Sequence, residues 1–490
     1  MPGLFAQLHR KYGEPDGISR REMLQRSLAA AAGLLLSERI AGGHLATARR
    51  IVVVGAGFSG LAAAHELASA GYDVTVVEAR NRIGGRVLSF PDLVPGKNVE
   101  GGAELIGSNH PAWVAYAKRF GLEFLDVSEE DADWPVVLGG RRLAADESKT
   151  LWEEMDKALH TLNADAARVD ADEPWKAVNA ETLDRQTLGS WIDALDTSDV
   201  CRTGLHTMMG ADNGVVTGWQ SYLANLAMVR GGGLEKYWTD SEVYRCRGGN
   251  QQLAHRLAGA LGEGRIRTRT IVRAITLGAA SARVRLADGS VLEADHVVFT
   301  APPPVWNRIA IDQPLPPGLV PQMGSNVKFL MAFRRPFWRA AGLMPDLMSD
   351  GPVSLTWHGT DGQEGPGEAL VAFSGGPAAD ACREWPAADR NERYLAELQK
   401  VYADVRRSFV RARFMDWPSD PWVKASYSFP APGQVTTQGP TFGRGHGRLH
   451  FAGEYCAYAF MGYMEGALRS GAAAARRIAL HDGVLKAPAA

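Results

Sequence analysis

The sequence has few of the features that mark metal-binding, nucleic-acid-binding or membrane proteins. It contains only 4 cysteines in 490 residues, and none of them forms a CxxC pair, which argues against a zinc ribbon or a thioredoxin-like site. There is no HExxH spacing either, and we expect no metal centre. A net charge of −2 without a dense basic run argues against a nucleic-acid partner. No apolar segment reaches about 20 residues, so we expect no membrane anchor.

What is present is the composition of an ordinary globular protein, with 46% hydrophobic and 22% charged residues. A chain of 490 residues is too long for one compact core, so two or more domains are expected. The 54 glycines indicate many tight turns and close backbone approaches.

Residues 1–48 form an N-terminal extension with two interpretations. Arg20-Arg21 precedes the short apolar run Ser27–Leu36, which is similar to a bacterial Tat export signal and predicts an exported, periplasmic protein. The alternative is an amphipathic helix packed on the surface of a cytoplasmic protein. No clear A-x-A site follows the run, so cleavage is left open.

The segment after residue 49 reads as a βαβ unit. Ile51–Val54 is a short apolar run typical of a buried parallel strand. Leu61–Ala70 predicts a helix that ends at Gly71, and Asp73–Glu78 predicts the next strand.

The loop Gly55-Ala56-Gly57-Phe58-Ser59-Gly60 lies between the first strand and the helix. In such a loop the first glycine makes the turn, the second admits a pyrophosphate and the third lets the helix pack on the strand. Free N–H groups and the dipole at the helix start then meet the phosphates. Glu78 ends the second strand, where a carboxylate can hold ribose hydroxyls. Its alternative role is a solvated charge at a strand end.

Two later regions resemble parts of the same domain. One contains a helix over Gly248–Leu261, a strand over Ile266–Ile275 and a hairpin at Asp288-Gly289, and the other a strand over Leu449–Ala452 and a helix over about 462–478. We therefore predict an α/β fold with a discontinuous Rossmann-like dinucleotide-binding domain. Its pieces are residues 49–125, 241–304 and 440–480. A helical segment (126–240) and a sheet segment (305–439) form an inserted α+β substrate domain.

The residues after Glu78 favour FAD as the dinucleotide. Ala79, Arg80, Gly84, Gly85 and Arg86 follow in order and offer further donors to a pyrophosphate. This stretch resembles the signature of the flavin amine oxidase family, which includes monoamine, polyamine and L-amino-acid oxidases. Further stretches match the family in the same order, namely Glu100–Glu104, Arg247–Asn250, Val272, Thr300–Pro303, Asn326–Lys328, Phe451–Glu454 and Gly462–Ala467.

The resemblance implies how FAD is held. Gly102, Ala103 and Glu104 would lie beside the flavin, and the backbone of Val272 would hold the adenine. Glu454, after Gly453, would hold the ribityl chain. The start of the helix after Gly462, with Tyr463 and Met464, would meet the negative charge of the reduced flavin. Trp417 would pack against the flavin, or is an ordinary packed loop aromatic.

The resemblance also implies catalytic residues. Lys328 would bond a water near flavin N5 and assist reoxidation by O2, against the alternative of an exposed strand lysine. Tyr427 and Tyr463 match the two tyrosines of the family's aromatic cage, against the alternative of aromatic core. Glu104 would either attract a cationic amine or cap local backbone.

Two departures from relatives matter. Ser426 stands where monoamine oxidases carry the cysteine that bonds the flavin, so FAD is expected to be non-covalent. Snake-type L-amino-acid oxidases place a carboxylate-binding arginine where this chain has Glu104 and Leu105. An L-amino acid held by another arginine, such as Arg230 or Arg339, stays open, and several tryptophans leave room for an apolar or aromatic substrate, namely Trp219, Trp357 and Trp385.

The predicted function is oxidation of the C–N bond of an L-amino acid or primary amine to an imine by hydride transfer to flavin N5. O2 would reoxidise the flavin to give H2O2, and hydrolysis would give an oxo acid or aldehyde plus ammonia. The expected partners are therefore that small molecule and O2, and a homodimer is one possible assembly. The alternatives are an amine dehydrogenase or desaturase with a non-oxygen acceptor, and a non-catalytic FAD-binding module.

Overall fold

The computed structural model describes residues 3–13, 19–35, 49–127 and 132–485. Its helices, in chain order, are α1 (Leu4–Tyr12), α2 (Arg20–Leu34), α3 (Phe58–Ser69), α4 (Pro111–Phe120), α5 (Ala145–Ala166), α6 (Ala180–Arg185), α7 (Leu188–Asp193), α8 (Asp199–Asn213), α9 (Tyr222–Gly231), α10 (Glu235–Asp240), α11 (Gln251–Leu261), α12 (Phe337–Ala340), α13 (Pro377–Glu384), α14 (Arg390–Gln399), α15 (Val405–Ser408), α16 (Gln434–Arg444) and α17 (Met464–His481). Its strands are β1 (Arg50–Val54), β2 (Asp73–Val77), β3 (Ser89–Val94), β4 (Lys97–Glu100), β5 (Phe124–Asp126), β6 (Val136–Leu138), β7 (Arg141–Arg142), β8 (Tyr244–Cys246), β9 (Ile266–Arg267), β10 (Val272–Leu277), β11 (Ala282–Leu286), β12 (Val291–Ala294), β13 (His296–Phe299), β14 (Ala310–Ile311), β15 (Asn326–Phe333), β16 (Leu347–Ser349), β17 (Leu355–His358), β18 (Glu368–Gly375), β19 (Phe409–Asp416) and β20 (Leu449–Phe451).

A five-stranded parallel sheet in the order β20-β13-β1-β2-β9 forms the centre of the first domain. Apart from Arg50 at its start, every residue of β1 is buried, as expected for a strand covered on both faces. The alanine-rich α3 packs against α17 at the end of the chain. This arrangement confirms the predicted Rossmann-like α/β fold.

A seven-stranded sheet in the order β19-β15-β18-β17-β16-β6-β7 forms the second domain. It is antiparallel except where β16 pairs with β6 in parallel. The helices α5 to α10 cover one side of it and share one hydrophobic core with it. Residues 126–240 are therefore not purely helical, because β6 and β7 belong to the sheet of the 305–439 segment.

The single strand predicted over Ile266–Ile275 is wrong. Residue Arg269 has φ 53, a left-handed conformation that breaks an extended chain. β9 therefore ends in the parallel sheet, while β10 starts a separate four-stranded sheet in the order β12-β11-β10-β14. The hairpin predicted at Asp288-Gly289 is confirmed, since it joins β11 to β12.

The described part of the N-terminal extension consists of two helices. α2 begins with a capping box between Ser19 and Glu22, and Ser27 donates a hydrogen bond to the carbonyl of Ser108 at 2.6 Å. Ala31 and Leu35 are buried in the core that includes α4. The apolar run of the export motif thus lies on the first domain, as far as Leu35; residues 36–48 lie outside the described residues. Export itself stays a prediction.

Among the described residues, no helix has the length and apolarity needed to cross a membrane.

Candidate active site

One cavity of about 700 Å³ runs between the parallel sheet and the seven-stranded sheet. One end is lined by Val272 and its neighbours, and the other by Tyr427 and Tyr463. This size is within the usual range for cofactor and ligand sites. All of the residues predicted to hold FAD or to act in catalysis, except Gly60, line this cavity.

The glycine loop presents the start of α3 to the cavity. Gly57 is the N-cap of α3, and no side chain caps the helix there, so the first N–H groups, on Phe58 and Ser59, are available to an anion. A Cβ built on Gly57 would meet only Gly85 Cα, at 3.9 Å. The two glycines therefore leave an open cradle at the positive end of the helix.

Glu78 is not a solvated charge, since only 8% of it is exposed. It accepts hydrogen bonds from the backbone N–H groups of Ala56 at 2.8 Å and Arg80 at 2.9 Å. These bonds hold the carboxylate in the wall of the cavity, and each oxygen keeps a second lone pair for a ribose hydroxyl.

The start of α17 is a second helix end that faces the cavity. Its N-cap, Tyr463, provides no side-chain cap, and Met464 lines the cavity. Next to it, Glu454 accepts hydrogen bonds from Arg86 at 2.9 Å, Ser428 at 2.6 Å and the Gly462 N–H at 3.2 Å. Glu454 thereby joins the second glycine motif to the C-terminal motif.

Trp417 lies in the cavity wall and is 9% exposed. Its ring N–H donates to the carbonyl of Gly101 at 3.0 Å. Arg80 and Arg82 approach its ring to 5.8 and 5.9 Å. Contact between Trp417 and a flavin stays a prediction, but the ring does face the cavity.

Lys328 is buried on β15 and is not an exposed strand lysine. Its ammonium donates to Glu104 Oε2 at 2.6 Å and to the Gly102 carbonyl at 2.8 Å. The carbonyl of Glu100 is further away, at 3.4 Å. Because an ammonium has three donors, these three bonds use all of them, and the water expected near flavin N5 stays a prediction.

The carboxylate of Glu104 bonds to buried side chains, and whether it also attracts a cationic amine stays a prediction. Its Oε1 accepts from Arg245 at 2.7 Å and from the ring N–H of Trp357 at 2.9 Å. Burial alone would raise the pKa of Glu104, but Lys328 and Arg245 outweigh it and lower the pKa to about 2. Glu104 is therefore an ionised anchor for Lys328.

The hydroxyls of the two cage tyrosines bond to acidic residues. Tyr427 donates to the backbone carbonyl of Asp212 at 2.5 Å, and Tyr463 donates to Glu242 Oε1 at 3.2 Å. Burial first, and then nearby carboxylates, raise the pKa of both tyrosines well above their usual value. Both are therefore neutral aromatic walls, and their action on substrate stays a prediction.

Asp212 and Glu242 are the site residues that the sequence did not indicate. Asp212 is at the last turn of α8, and Glu242 lies between α10 and β8; both line the cavity. Burial, and then the charge of Glu242, raise the pKa of Asp212. Neither residue belongs to a motif, so only the folded chain brings them together.

The two arginines considered as partners for a substrate carboxylate lie outside the cavity. Arg230 and Arg339 are exposed and do not line the cavity. Of the tryptophans proposed for the substrate pocket, only Trp357 lines it; Trp219 is 66% exposed and Trp385 packs on Tyr394.

The residues present fit FAD. The N-termini of α3 and α17 have no side-chain cap, and both face the same cavity. The N-terminus of α3 suits a pyrophosphate, and that of α17 suits the electron-rich edge of a reduced flavin. Ser426 bears a hydroxyl that bonds to Gly324 and Asn326, and the four cysteines do not line the cavity. The site thus fits FAD without a covalent bond.

Comparison with known proteins agrees with this geometry. The sequence profile described as pyridine nucleotide-disulphide oxidoreductase matches residues 16–91, which contain the glycine loop. A flavin-containing amine oxidase of Danio rerio is 27% identical over 90% of this chain and 88% of its own. An L-amino acid dehydrogenase of Synechocystis is 26% identical over 87% and 94%. A solved structure of putrescine oxidase bound to putrescine is 27% identical, with a TM-score of 0.80 over 89% of this chain and 99% of its own.

The profile described as flavin containing amine oxidoreductase matches residues 58–479, nearly the whole described chain after the N-terminal extension. This confirms the resemblance found in the motifs, and with it the cofactor. The chain belongs to the flavin-containing amine oxidoreductase family, and its cofactor is FAD.

Proposed function

We propose that the protein is an FAD-dependent oxidase whose substrate is an amine without a carboxylate group. The observation that carries the proposal is the pair Asp212 and Glu242 at the tyrosine end of the cavity. Burial and the charge of Glu242 raise the pKa of Asp212. A substrate ammonium beside the pair offsets the repulsion between the two carboxyl groups and favours their charged forms, whereas the carboxylate of an amino acid adds to that repulsion.

The charges around the pair support an amine in two further ways. Asp212 is at the C-terminal end of α8, where the helix dipole adds negative potential. The lining cations are already engaged or lie towards the other end: Lys328 bonds Glu104, Arg86 bonds Glu454 and Arg80 bonds Asp420. Arg86 reaches the carbonyl of Ser426, next to Tyr427, at 2.6 Å, and its charge is already paired with Glu454.

The remaining arginine near the site is also engaged. Arg245 is buried and bonds Glu104, Asp361 and the carbonyl of His358. It does not line the cavity. A substrate carboxylate would therefore meet acidic side chains at this end and no clamp.

In this proposal the protein contributes position and electrostatics. Tyr427 and Tyr463 flank the amine, and Asp212 and Glu242 draw it in. Bound FAD supplies the acceptor for the two electrons removed from the C–N bond. Lys328, fixed by Glu104, holds a positive charge and a water donor at the site of O2 reduction. Water then splits the imine, so amine, O2 and water give a carbonyl compound, ammonia and H2O2.

A peroxide-coupled assay with matched pairs tests the proposal, each pair differing only in a carboxylate: phenethylamine and phenylalanine, tyramine and tyrosine, cadaverine and lysine. We expect the preferred amine to exceed its amino acid in kcat/KM by about a hundredfold or more, since like charges held close cost several kcal/mol. Preference for the amino acid would overturn the amine proposal.

The acceptor is tested separately, because one relative is described as an L-amino acid dehydrogenase. An oxidase forms one H2O2 per amine consumed under air. Turnover with an added acceptor but without peroxide would indicate a dehydrogenase. Failure of every amine and amino acid to bleach the flavin anaerobically would indicate a non-catalytic FAD module.

A further inference from the structure

The first helix, α1, lies inside the substrate domain. Leu4, Phe5, Ala6 and Leu8 are between 0% and 5% exposed, and three of them belong to the core that contains α5, α8 and α9. α1 lies before the export-like motif, because Arg20-Arg21 begins α2. It is therefore built into the fold, although it precedes the first strand of the FAD domain by nearly 40 residues.

Side chains along α1 tie it to other parts of this domain. Lys11 bonds Asp133 at 2.8 Å, and the hydroxyl of Tyr12 donates to the carbonyl of Ala145 at 3.0 Å. The ring of His9 lies against that of Trp152 on α5, with centroids 6.3 Å apart. These contacts hold α1 in one place along the domain.

The start of α1 lies against the acidic end of the active site. A Cβ built on Gly3, the N-cap of α1, would lie 3.5 Å from Asp212 Oδ2 and 3.7 Å from the sulfur of Met208. A small cavity of about 40 Å³ is lined by Gly3, Phe5 and Ala6 on one side. Its other lining residues include Asp212, Asn213, Glu242 and Tyr463, which also line the large cavity.

We propose that α1 is the end wall of the substrate cavity and that Phe5 and Ala6 limit the length of the amine that fits. The proposal rests on the amine oxidase function proposed above. The residues that line both cavities form the partition between them, and α1 lines the opposite side of the small cavity. An amine whose chain extends past Tyr463 and Glu242 meets the first turns of α1.

This placement has a consequence for the N-terminal extension. An export signal that contained Arg20-Arg21 and was cleaved after α2 would take α1 with it and open the cavity. We therefore expect the active enzyme to retain residues 4–12, and an intact-mass measurement of the active protein checks this.

The test is a chain-length profile of kcat/KM for n-alkylamines from butylamine to decylamine, with Phe5→Ala as the main variant. Removing the Phe5 ring should raise kcat/KM for the longer amines about fourfold for each methylene that the enlarged cavity accepts, while butylamine changes little. Ala6→Val, which fills the small cavity, should shift the profile toward shorter amines.

Leu8→Ala is the matched control, because Leu8 is 2% exposed on the same helix but lines neither cavity. It should lower the melting temperature without changing the profile. Two results would overturn the end-wall assignment alone, provided that amines are still oxidised. One is an equal shift of the chain-length profile in Phe5→Ala and Leu8→Ala, and the other is an unchanged profile in both Phe5→Ala and Ala6→Val. A wild type that oxidises no amine would overturn the proposed function together with it.

Discussion

The ammonium of Lys328 lies 2.6 Å from Oε2 of Glu104, inside the protein and 224 positions away in the sequence. The pair joins the seven-stranded sheet to the segment beside the flavin site. Since Arg245 bonds the other oxygen of the same carboxylate, one buried anion holds two cations. The proposed role of Lys328 in O2 reduction therefore depends on Glu104 for its position.

Lys328→Met is expected to slow flavin reoxidation by O2 on the order of a hundredfold, because it removes a positioned donor and charge. Reduction of the flavin by amine should change much less. Stopped-flow spectroscopy measures the two half-reactions separately. Lys97→Met is the control, since Lys97 is also buried and ion-paired, with Glu368 at 2.9 Å, but lies outside the cavity. Full O2 reactivity in Lys328→Met would disprove the role of the lysine.

Glu104→Gln should lower the free energy of unfolding at neutral pH by about 3 kcal/mol or more, because it leaves the buried Lys328 without its anion and takes one of two carboxylate partners from Arg245. The pKa of Glu104 is lowered to about 2 in the folded protein, below its unfolded value of about 4.3. The stability that its charge provides is thus present above pH 4.3 and is lost as pH falls toward 2. The difference between wild type and variant should shrink in that window, as urea unfolding at a series of pH values will measure.

Glu100→Gln is the matched comparison. Glu100 is equally buried, but burial raises its pKa to about 7 in spite of the hydrogen bond from Asn250. Its contribution to stability is lost as pH rises through about 7, so this variant should gain stability relative to wild type above neutral pH. If the unfolding free energies of Glu104→Gln and Glu100→Gln depended on pH in the same way, the opposite pKa shifts of Glu104 and Glu100 would be contradicted.

The cofactor half of the site could be predicted from the sequence because its motifs are local. The glycine loop, the helix start and Glu78 fall within 24 residues, and backbone geometry alone relates them. The failure at Ile266–Ile275 is equally local: an apolar pattern does not reveal that Arg269 adopts φ 53 and sends the chain from one sheet to another.

The substrate half could not be predicted, because tertiary contacts create it. Asp212 is an unremarkable acidic residue near the end of a helix, and Glu242 follows another helix about 30 residues later. Likewise, nothing near Glu104 indicates that its partners are Lys328 and Arg245. The sequence without these contacts does not distinguish an amine substrate from an L-amino acid.

Asp212→Asn is expected to raise KM for amines about tenfold at pH values above the raised pKa of Asp212, where the carboxylate is charged, since a hydrogen bond to a charged group contributes about 1.5 kcal/mol. Because burial and Glu242 raise the pKa of Asp212, the wild-type protein loses stability as pH rises from the ordinary aspartate range toward the raised value. The variant should therefore be more stable than wild type above that range. Steady-state kinetics and thermal melts at several pH values check both effects.

Glu235→Gln is the control for this prediction. Glu235 is exposed on α10 and lines neither cavity. The substitution Glu235→Gln nevertheless removes a carboxylate group, as Asp212→Asn does. A comparable rise in KM in Glu235→Gln would mean that the effect is long-range electrostatics, and Asp212 would lose its assigned contact with the amine.

Two glycines of the FAD loop should respond to alanine in opposite ways. Gly57 has φ −77 and ψ 179, which alanine adopts freely, and its added Cβ would meet only Gly85 Cα at 3.9 Å. Gly57→Ala should fold as well as wild type but place a methyl group where the pyrophosphate approaches. We expect the Kd for FAD to rise tenfold or more, about 1.4 kcal/mol, as titration of the apoprotein will measure.

Gly60→Ala should instead damage the fold itself. Its Cβ would lie 2.0 Å from the carbonyl oxygen of Gly55, so α3 would have to move away from β1. The expected cost is about 2 kcal/mol or more of unfolding free energy, visible as a lower melting temperature of the apoprotein. If Gly57→Ala lowered the apoprotein melting temperature as much as Gly60→Ala, the loop would be a folding element first, and the open cradle between Gly57 and Gly85 would not be the pyrophosphate site.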